Sequence, residues 1–296
     1  MENLIINLNP WWKTDQVEKR KLGEIKRDVW EELMEDLKNE KVLSLLGPRR
    51  AGKTTLLYHI VNHLLQKGTN PSHTLFLSFD NPKIRQMDFD QIMWDFSEQI
   101  REPLQNLKHR VYVLCDEIHK LDDWGNKIKY WQDLGYKIKF IISGSSSARI
   151  LKGSGESLLG RADFSLILPL SFREFCRGRF VDKDFRKLNS FNKKEWKEEY
   201  TRLNIWKQEF NIVLTEYLQK GGFPEIFYIS DQEKGYEYLR NYRTLALHRD
   251  IIEMKDIKEP RILGDLFDLL GDYIAQRINY TQFAKFLKIK IGRAHV

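Results

Sequence analysis

Cysteine is scarce in this 296-residue sequence, and the two that occur, Cys115 and Cys176, form no CxxC pair. That scarcity excludes a disulfide framework and argues against a cysteine-based metal site. No apolar run approaches the roughly 20 residues that a membrane-spanning helix needs. The first ten residues are too short and too polar for a signal peptide. We therefore expect a reduced, cytoplasmic protein.

Charge of neither sign forms a long block, although basic residues are in excess. The chain has 49 Lys and Arg against 42 Asp and Glu, a formal net charge of +7. The two signs alternate along most of the chain, as in residues 193–199, which favours a solvated helix face over a phosphate-binding track. With 42% hydrophobic residues the composition is that of a globular protein, but the charge does not identify a partner.

Short apolar runs alternate with segments of helical periodicity in the first 175 residues. This alternation predicts an α/β fold, in which right-handed crossovers build a parallel sheet with helices on both faces. After about residue 176 the predicted strands stop and the sequence becomes helical and highly charged. Predicted strands lie at Val42–Leu46, 74–79, 111–114, 138–142 and 164–168, and predicted helices at 25–38, 54–66 and 89–100.

A phosphate-binding pattern follows the first predicted strand. Residues 47–54 match G-x-x-x-x-G-K-[ST] at every fixed position, and the strand before and helix after make a chance glycine-rich turn a poor alternative. Backbone N–H groups of such a loop cradle phosphates, while Lys53 would neutralise the β- and γ-phosphates and Thr54 would hold Mg²⁺. We assign ATP binding to Gly47, Pro48, Arg49, Arg50, Ala51, Gly52, Lys53, Thr54 and Thr55.

Two acids end the third predicted strand, in the sequence of residues 111–117. Asp116 would position Mg²⁺, and Glu117 would polarise the attacking water as a catalytic residue. The alternative, that the two acids merely cap a strand, loses weight because a complete phosphate-binding loop lies upstream. Adjacent Asp and Glu also favour a water nucleophile, and hence ATP hydrolysis over transfer to a small acceptor.

Serines follow the fourth predicted strand, at the sheet edge that also carries the phosphate-binding loop. Ser143 and Ser145 could each hydrogen-bond the γ-phosphate or the attacking water. We favour Ser145 as the catalytic candidate by a narrow margin over Ser143. A flexible turn is an equally good interpretation of this segment.

Together these motifs resemble the prokaryotic AAA+-type ATPases, common in archaea, that have an AAA_14-like core and a following DUF4143-type region. The resemblance runs from about residue 20 to 290. It implies a sheet in which another strand separates the phosphate-loop strand from the Asp-Glu strand, then a helical lid and a winged-helix region. The supporting segments are 47–54, 114–119, 142–147, 159–161, 169–175 and 221–225.

Residues 9–12 resemble the amino-terminal element of archaeal members. We expect their tryptophans to pack on the core rather than to stack on adenine. Arg161, which follows Gly160, is a candidate finger on the γ-phosphate of a neighbouring subunit, with a structural salt bridge as an equal alternative. Arg249 is a weaker candidate for the same role.

The expected organisation is a core at 1–175, a lid at 176–258 and an incomplete winged-helix start at 259–290, with Thr281 capping a helix. Residues 291–296 are the translation of a common sequencing adapter, and we interpret them as an artefact on a truncated chain. A complete winged helix would be the part of the protein that contacts DNA.

The favoured function is therefore a cytoplasmic, Mg²⁺-dependent ATP hydrolase that couples hydrolysis of the phosphoanhydride bond to conformational change. The expected partners are a second copy of the chain, through Arg161, and DNA, through the complete winged-helix region. A nucleotide-switched DNA-binding regulator with little turnover is the main alternative. A small-molecule kinase is less favoured, because Asp116 and Glu117 suit water activation and no acceptor site is evident.

Overall fold

The computed structural model describes residues 3–144, 158, 160–180, 192–247 and 260–289. The chain divides into two compact units, residues 1–236 and 237–296. This division lies inside the segment 176–258 that the sequence suggested as a lid. The sequence-based boundaries at 175 and 258 stay predictions.

The first unit contains a five-stranded parallel sheet in the order β2-β3-β4-β1-β5. Strand β4 lies between β1, which precedes the phosphate-binding loop, and β3, which carries the two acids. The predicted α/β architecture, including the inserted strand, is thereby confirmed. The strands are β1 (Val42–Leu46), β2 (Thr74–Ser78), β3 (Val111–Asp116), β4 (Ile138–Gly144) and β5 (Ala162–Leu166).

Strands β3 and β4 extend further than their apolar runs predicted. Asp116 still pairs with Ser78 of β2, and Gly144 still pairs with Leu46 of β1. Polar residues end the apolar pattern, but they do not interrupt the backbone ladder, which depends on N–H and C=O groups. Consequently Asp116 and Ser143 are both held inside strands.

Helices cover both faces of the sheet, and the side chains of each strand alternate between two apolar clusters. Val113 and Phe140 lie in one cluster, while Leu114 and Ile141 lie in the other. The helices are α1 (Asn3–Leu8), α2 (Trp11–Thr14), α3 (Trp30–Asp36), α4 (Lys53–Gln66), α5 (Pro82–Gln86), α6 (Phe89–Ile100), α7 (Trp124–Asp133), α8 (Phe172–Arg179), α9 (Lys193–Asn204), α10 (Lys207–Lys220) and α11 (Pro224–Phe227).

The predicted helix over residues 25–38 was too long, because α3 begins only at Trp30. Ile25 instead packs in a third apolar cluster with Phe175 and Phe227. The backbone N–H of Asp28 donates to Glu174 Oε1 at 2.8 Å, so it is committed to a tertiary contact. These contacts with a distant segment outweigh the helical periodicity of residues 25–29.

The amino-terminal segment closes the outer edge of β2. Asn9 Nδ2 donates to the carbonyl of Phe76 at 3.0 Å, and the N–H of Phe76 donates to Asn9 Oδ1 at 2.6 Å. The indole N–H groups of Trp11 and Trp12 donate to the hydroxyl and the carbonyl of Thr74, each at 2.7 Å. These tryptophans therefore pack on the core, and they cover an edge strand that would otherwise expose its backbone.

The second unit is described by its own helices. Helix α12 (Gln232–Leu245) crosses the boundary in the sequence, followed by α13 (Pro260–Asp272) and α14 (Tyr280–Phe286). Asn279 caps α14 through the N–H groups of Thr281 and Gln282, so the prediction of Thr281 as the cap was wrong. Arg249 and residues 291–296 lie outside the described residues. Within the described ranges no helix has the length and apolarity needed to cross a membrane.

Candidate active site

The phosphate-binding loop leaves the carboxyl end of β1 and enters α4, and two glycines permit its path. Gly47 has φ 153°, and a Cβ there would lie 2.0 Å from the carbonyl oxygen of Ile167. Gly52 has φ 94°, a conformation that side chains disfavour, immediately before α4 begins at Lys53. The close passage of the loop beside β5 thus requires glycine at its first position, and the turn into α4 favours it at the second.

Lys53 is buried at the start of α4, with 4% of its surface exposed. Its Nζ donates to the carbonyl oxygens of Gly47 at 2.9 Å and Pro48 at 2.8 Å. The loop therefore encloses the ammonium group and holds it at the amino-terminal end of the helix. Both the ammonium charge and the helix end favour anions.

Thr54 and Asp116 join the loop to β3. The Thr54 hydroxyl lies 3.1 and 3.0 Å from the two carboxylate oxygens of Asp116, and Ser143 Oγ donates to Asp116 Oδ1 at 2.5 Å. Burial, together with the charge of the neighbouring Glu117, raises the pKa of Asp116 to about 6. The hydrogen bonds from Ser143 and Thr54 and the charge of Lys53 oppose that rise.

A hydroxyl beside a carboxylate suits Mg²⁺, which prefers hard oxygen ligands and keeps several of its waters. The described residues contain no group of three His, Cys, Asp or Glu side chains placed to hold a metal. Thr54 and Asp116 would therefore hold the ion together with water and substrate phosphates, as Mg²⁺ sites with one or two protein ligands do.

Glu117 follows Asp116 with a strained backbone, at φ 52° and ψ 43°. Its N–H donates to Ser143 Oγ at 3.2 Å, so one serine contacts both acids. The side chain lines the cavity beside the phosphate-binding loop, and its Oε2 lies 3.5 Å from His119 Nε2. A carboxylate in this place can accept a proton from water at the cavity.

Among the strand β4 serines, the structure brings Ser143 to the acids. Ser143 is fully buried and contacts both Asp116 and Glu117. Ser145, the favoured candidate from the sequence, lies outside the described residues, and its catalytic role stays a prediction.

Arg161 lies at the amino end of β5, where the neighbouring Ala162 pairs with Val42. The phosphate-binding loop begins at the carboxyl end of the same ladder, five paired positions away, or about 16 Å at 3.3 Å per residue. Arg161 Nη2 lies 3.2 Å from Asp133 Oδ1, and both side chains are nearly half exposed. The end of the sheet that carries Arg161 is thus opposite to the end that carries the phosphate-binding loop. The role of Arg161 as a finger on a neighbouring subunit stays a prediction.

A cavity of about 410 Å³ opens beside the loop and includes residues that the sequence did not identify. Pro224 and Glu225 lie in residues 221–225, a segment that supports the family resemblance but to which the sequence assigns no role. The others had no local signal, because their proximity depends on tertiary packing. The newly identified lining residues include Ile25, Arg27, His59, Pro224, Glu225 and Tyr228.

Arg27 ties the phosphate-binding loop to the start of α8. Its guanidinium donates to the carbonyl of Ala51 in the loop at 2.8 Å and to Glu174 Oε1 at 2.9 Å. A third bond goes to the carbonyl of Leu168 at 2.5 Å. Glu174 also accepts from the N–H of Ser171 at 2.8 Å, completing a capping box. The buried Arg27–Glu174 ion pair therefore connects the phosphate-binding loop to α8.

Comparison with known proteins agrees with this geometry. Residues 39–176 match the family model described as an AAA domain. Residues 212–294 match a domain of unknown function (DUF8612), in place of the DUF4143-type region that the resemblance implied. The AAA-type match thus covers the sheet, the phosphate-binding loop and both acids.

Two relatives are similar over most of this chain. An uncharacterized protein of Methanocaldococcus jannaschii, MJ1544, is 29% identical over 269 residues, which are 91% of this chain and 54% of that protein. An uncharacterized protein of Haemophilus influenzae is 27% identical over 248 residues, or 83% of this chain and 54% of its own length. The chain therefore spans about half the length of the curated relatives it matches.

Solved structures show a more distant likeness. The structure of C. elegans PCH-2 aligns over 82% of this chain and 68% of its own, with 13% identity and a TM-score of 0.37. AMPPCP-bound DnaA from Aquifex aeolicus aligns over 95% of this chain and 96% of its own, with 13% identity and a TM-score of 0.40. Likeness at this level has no bearing on the details of the site.

Proposed function

We propose that this protein binds Mg²⁺-ATP at the phosphate-binding loop and hydrolyses it. The observation that carries the proposal is the contact of the Thr54 hydroxyl with both oxygens of Asp116, which joins the loop to the acidic strand. Lys53 and Glu117 line the same cavity. These four side chains supply the cation, the metal ligands and the proton acceptor that hydrolysis of a phosphoanhydride needs.

In the proposed reaction, a water oxygen forms a bond to the γ-phosphorus while the bond to the β–γ bridging oxygen breaks. Glu117 orients that water and accepts its proton, and Lys53 neutralises charge on the phosphate oxygens. Thr54 and Asp116 would hold Mg²⁺, which supplies further neutralisation of the phosphates when bound. The products are ADP and inorganic phosphate.

Two contacts support coupling of nucleotide occupancy to neighbouring segments. Arg27 links the loop carbonyl of Ala51 to Glu174 at the start of α8. Arg50, also in the loop, forms an ion pair with Glu225 at 2.7 Å, next to Pro224 in the cavity wall. We infer that phosphate binding changes both contacts and moves the segment around residues 221–228 relative to the loop.

Substitution of the loop lysine and the catalytic acid tests the function. Lys53→Ala should remove ATP binding, because the buried cation that faces the phosphates is lost. Lys67→Ala, at the exposed far end of α4, is the matched control and should bind normally. Glu117→Gln should bind ATP but lose at least 100-fold in turnover, as loss of a general base does. Normal turnover in Glu117→Gln would contradict the assigned role.

Self-association through Arg161 is a further part of the proposal. A subunit-mixing experiment tests it, because Arg161→Ala and Glu117→Gln should each be inactive alone. A mixture would contain interfaces where one subunit supplies Arg161 and the other supplies Glu117, so activity should return in part. Full turnover in Arg161→Ala alone would instead favour the structural ion pair with Asp133.

A nucleotide-switched DNA-binding regulator is the second candidate. The net charge of +7 and the successive helices α13 and α14 in the second unit favour it. Turnover and DNA binding, each measured with and without ATP, separate the two functions. Little turnover together with nucleotide-dependent DNA binding would favour the switch.

A further inference from the structure

His119 lies in a short 3-10 turn, Ile118–Lys120, immediately after the two acids. Its side chain is 1% exposed, and its Nε2 lies 3.5 Å from Glu117 Oε2. That carboxylate oxygen is buried, and no described residue donates a hydrogen bond to it. A buried carboxylate oxygen without a donor is costly, and the His119 imidazole is a neighbour placed to donate to it.

We propose that His119 is a positioning residue for Glu117, holding one carboxylate oxygen so that the rest of the group faces the attacking water. This inference rests on the proposed ATP hydrolysis. The Glu117 side chain is 15% exposed and lines the cavity, whereas its Oε2 is buried against His119. The exposed part of the side chain is therefore not the oxygen that His119 contacts.

The strained backbone of Glu117 explains why a second support is needed. The left-handed φ and ψ of Glu117 fix its backbone, but they do not by themselves fix the torsions of the glutamate side chain. A buried imidazole two residues away can restrain them. The 3.5 Å separation is longer than a strong hydrogen bond, and contacts of this kind shorten when substrate completes the site.

Two amide substitutions distinguish positioning from simple packing. In His119→Gln the side-chain nitrogen can reach about the place of Nε2, whereas in His119→Asn it reaches only about the place of Nδ1. Both variants are polar, neutral and smaller than histidine. If His119 acts through its Nε2, glutamine should preserve function and asparagine should not. If His119 only fills space, the two variants should behave alike.

The experiment measures kcat and the ATP dissociation constant in the full chain, with thermal unfolding to verify folding. We expect His119→Asn to lower kcat about 10- to 100-fold, the cost of a misplaced catalytic group, with the ATP dissociation constant changed less than twofold. His119→Gln should stay within about threefold of wild type. Because His119 acts through Glu117, Glu117→Gln/His119→Asn should be no slower than Glu117→Gln.

Several results would overturn the inference. Equal kcat for the Gln and Asn variants, or an additive loss in the double variant, would show that His119 only fills space. Loss of ATP affinity in parallel with kcat would do the same. In each of these cases, turnover by the wild-type protein would still support the proposed ATP hydrolysis. Absence of turnover in the wild type would overturn the proposed function, and the positioning role with it.

Discussion

The Thr54 hydroxyl contacts both carboxylate oxygens of Asp116, at 3.1 and 3.0 Å, across 62 residues of sequence. Thr54 lies in the first turn of the helix after the phosphate-binding loop, and Asp116 ends strand β3. The two proposed Mg²⁺ ligands are therefore already adjacent, and the metal would not have to draw separate segments together. Such preorganisation lowers the cost of binding.

Variants of Thr54 test this arrangement. Thr54→Ser keeps the hydroxyl and should retain turnover within a few-fold of wild type. Thr54→Val keeps the shape but loses the oxygen ligand, so Mg²⁺-dependent turnover should fall by about 100-fold, a typical cost of removing one catalytic contact. Titration of turnover with Mg²⁺ is the measurement, and equal behaviour of the two variants would remove Thr54 from the metal site.

Asp116→Asn should stabilise the nucleotide-free protein at neutral pH. The folded state raises the pKa of Asp116 from 3.8 to about 6, so ionisation opposes folding above that range. The sign follows because the folded state binds the proton more tightly than the unfolded state. The gain at pH 7.5 should be about 3 kcal/mol and should roughly halve at pH 5, where Asp116 is mostly protonated when folded. Denaturant unfolding at both pH values measures it.

Asp163→Asn is the matched control, because the folded state lowers the pKa of Asp163 but raises that of Asp116. The hydrogen bond from Lys41, followed by that from Asn39 and the Lys41 charge, lowers the pKa of Asp163 despite an opposing effect of burial. Its ionised form thus favours folding above the ordinary aspartate pKa, and that stability is lost as the pH falls through the folded value. Asp163→Asn should therefore not stabilise the protein at pH 7.5, and a gain equal to that of Asp116→Asn would contradict the explanation.

Arg27→Met should destabilise the first unit by about 3–5 kcal/mol, because it leaves the Glu174 charge buried without its cation. The Arg27 and Glu174 side chains are only 10% and 5% exposed. Adding Glu174→Gln to Arg27→Met should recover part of the loss, since no buried charge then remains. Arg20→Met breaks an exposed pair with Glu18 and should leave the stability almost unchanged, because solvent screens such pairs. Denaturant unfolding compares all three variants.

Asn9→Ala should destabilise the protein by about 1–3 kcal/mol, the cost of leaving buried polar groups unsatisfied. The Asn9 side chain makes two hydrogen bonds with the backbone of Phe76 on the edge strand β2. Thr14→Ala loses an exposed hydroxyl that lies within hydrogen-bond distance of two backbone carbonyls, and it should change stability by less than about 0.5 kcal/mol. Equal effects of the two substitutions in thermal unfolding would show that Asn9 does not secure the edge.

The sequence alone predicted the features that depend on neighbouring residues. Apolar runs located all five strands, and the phosphate-binding loop and the Asp116-Glu117 pair were evident from their spacing. Strands β3 and β4 continue past their last apolar residue, because the backbone ladder does not depend on apolar side chains. Strand β2 ends one residue earlier than predicted, and β5 lies at Ala162–Leu166 instead of 164–168. Residues 39–176 match the model of an AAA domain, and the motifs they contain are likewise short and contiguous.

Tertiary structure decided the contacts between distant segments. Arg27 lay in a predicted helix and instead joins the phosphate-binding loop to Glu174, because a buried carboxylate outweighs local periodicity. Ser143 contacts both acids because β3 and β4 are neighbours in a parallel sheet that aligns their carboxyl ends. His119 is adjacent to Glu117 only through the strained turn between them. Such proximity follows from packing and chain direction, which local sequence patterns do not specify.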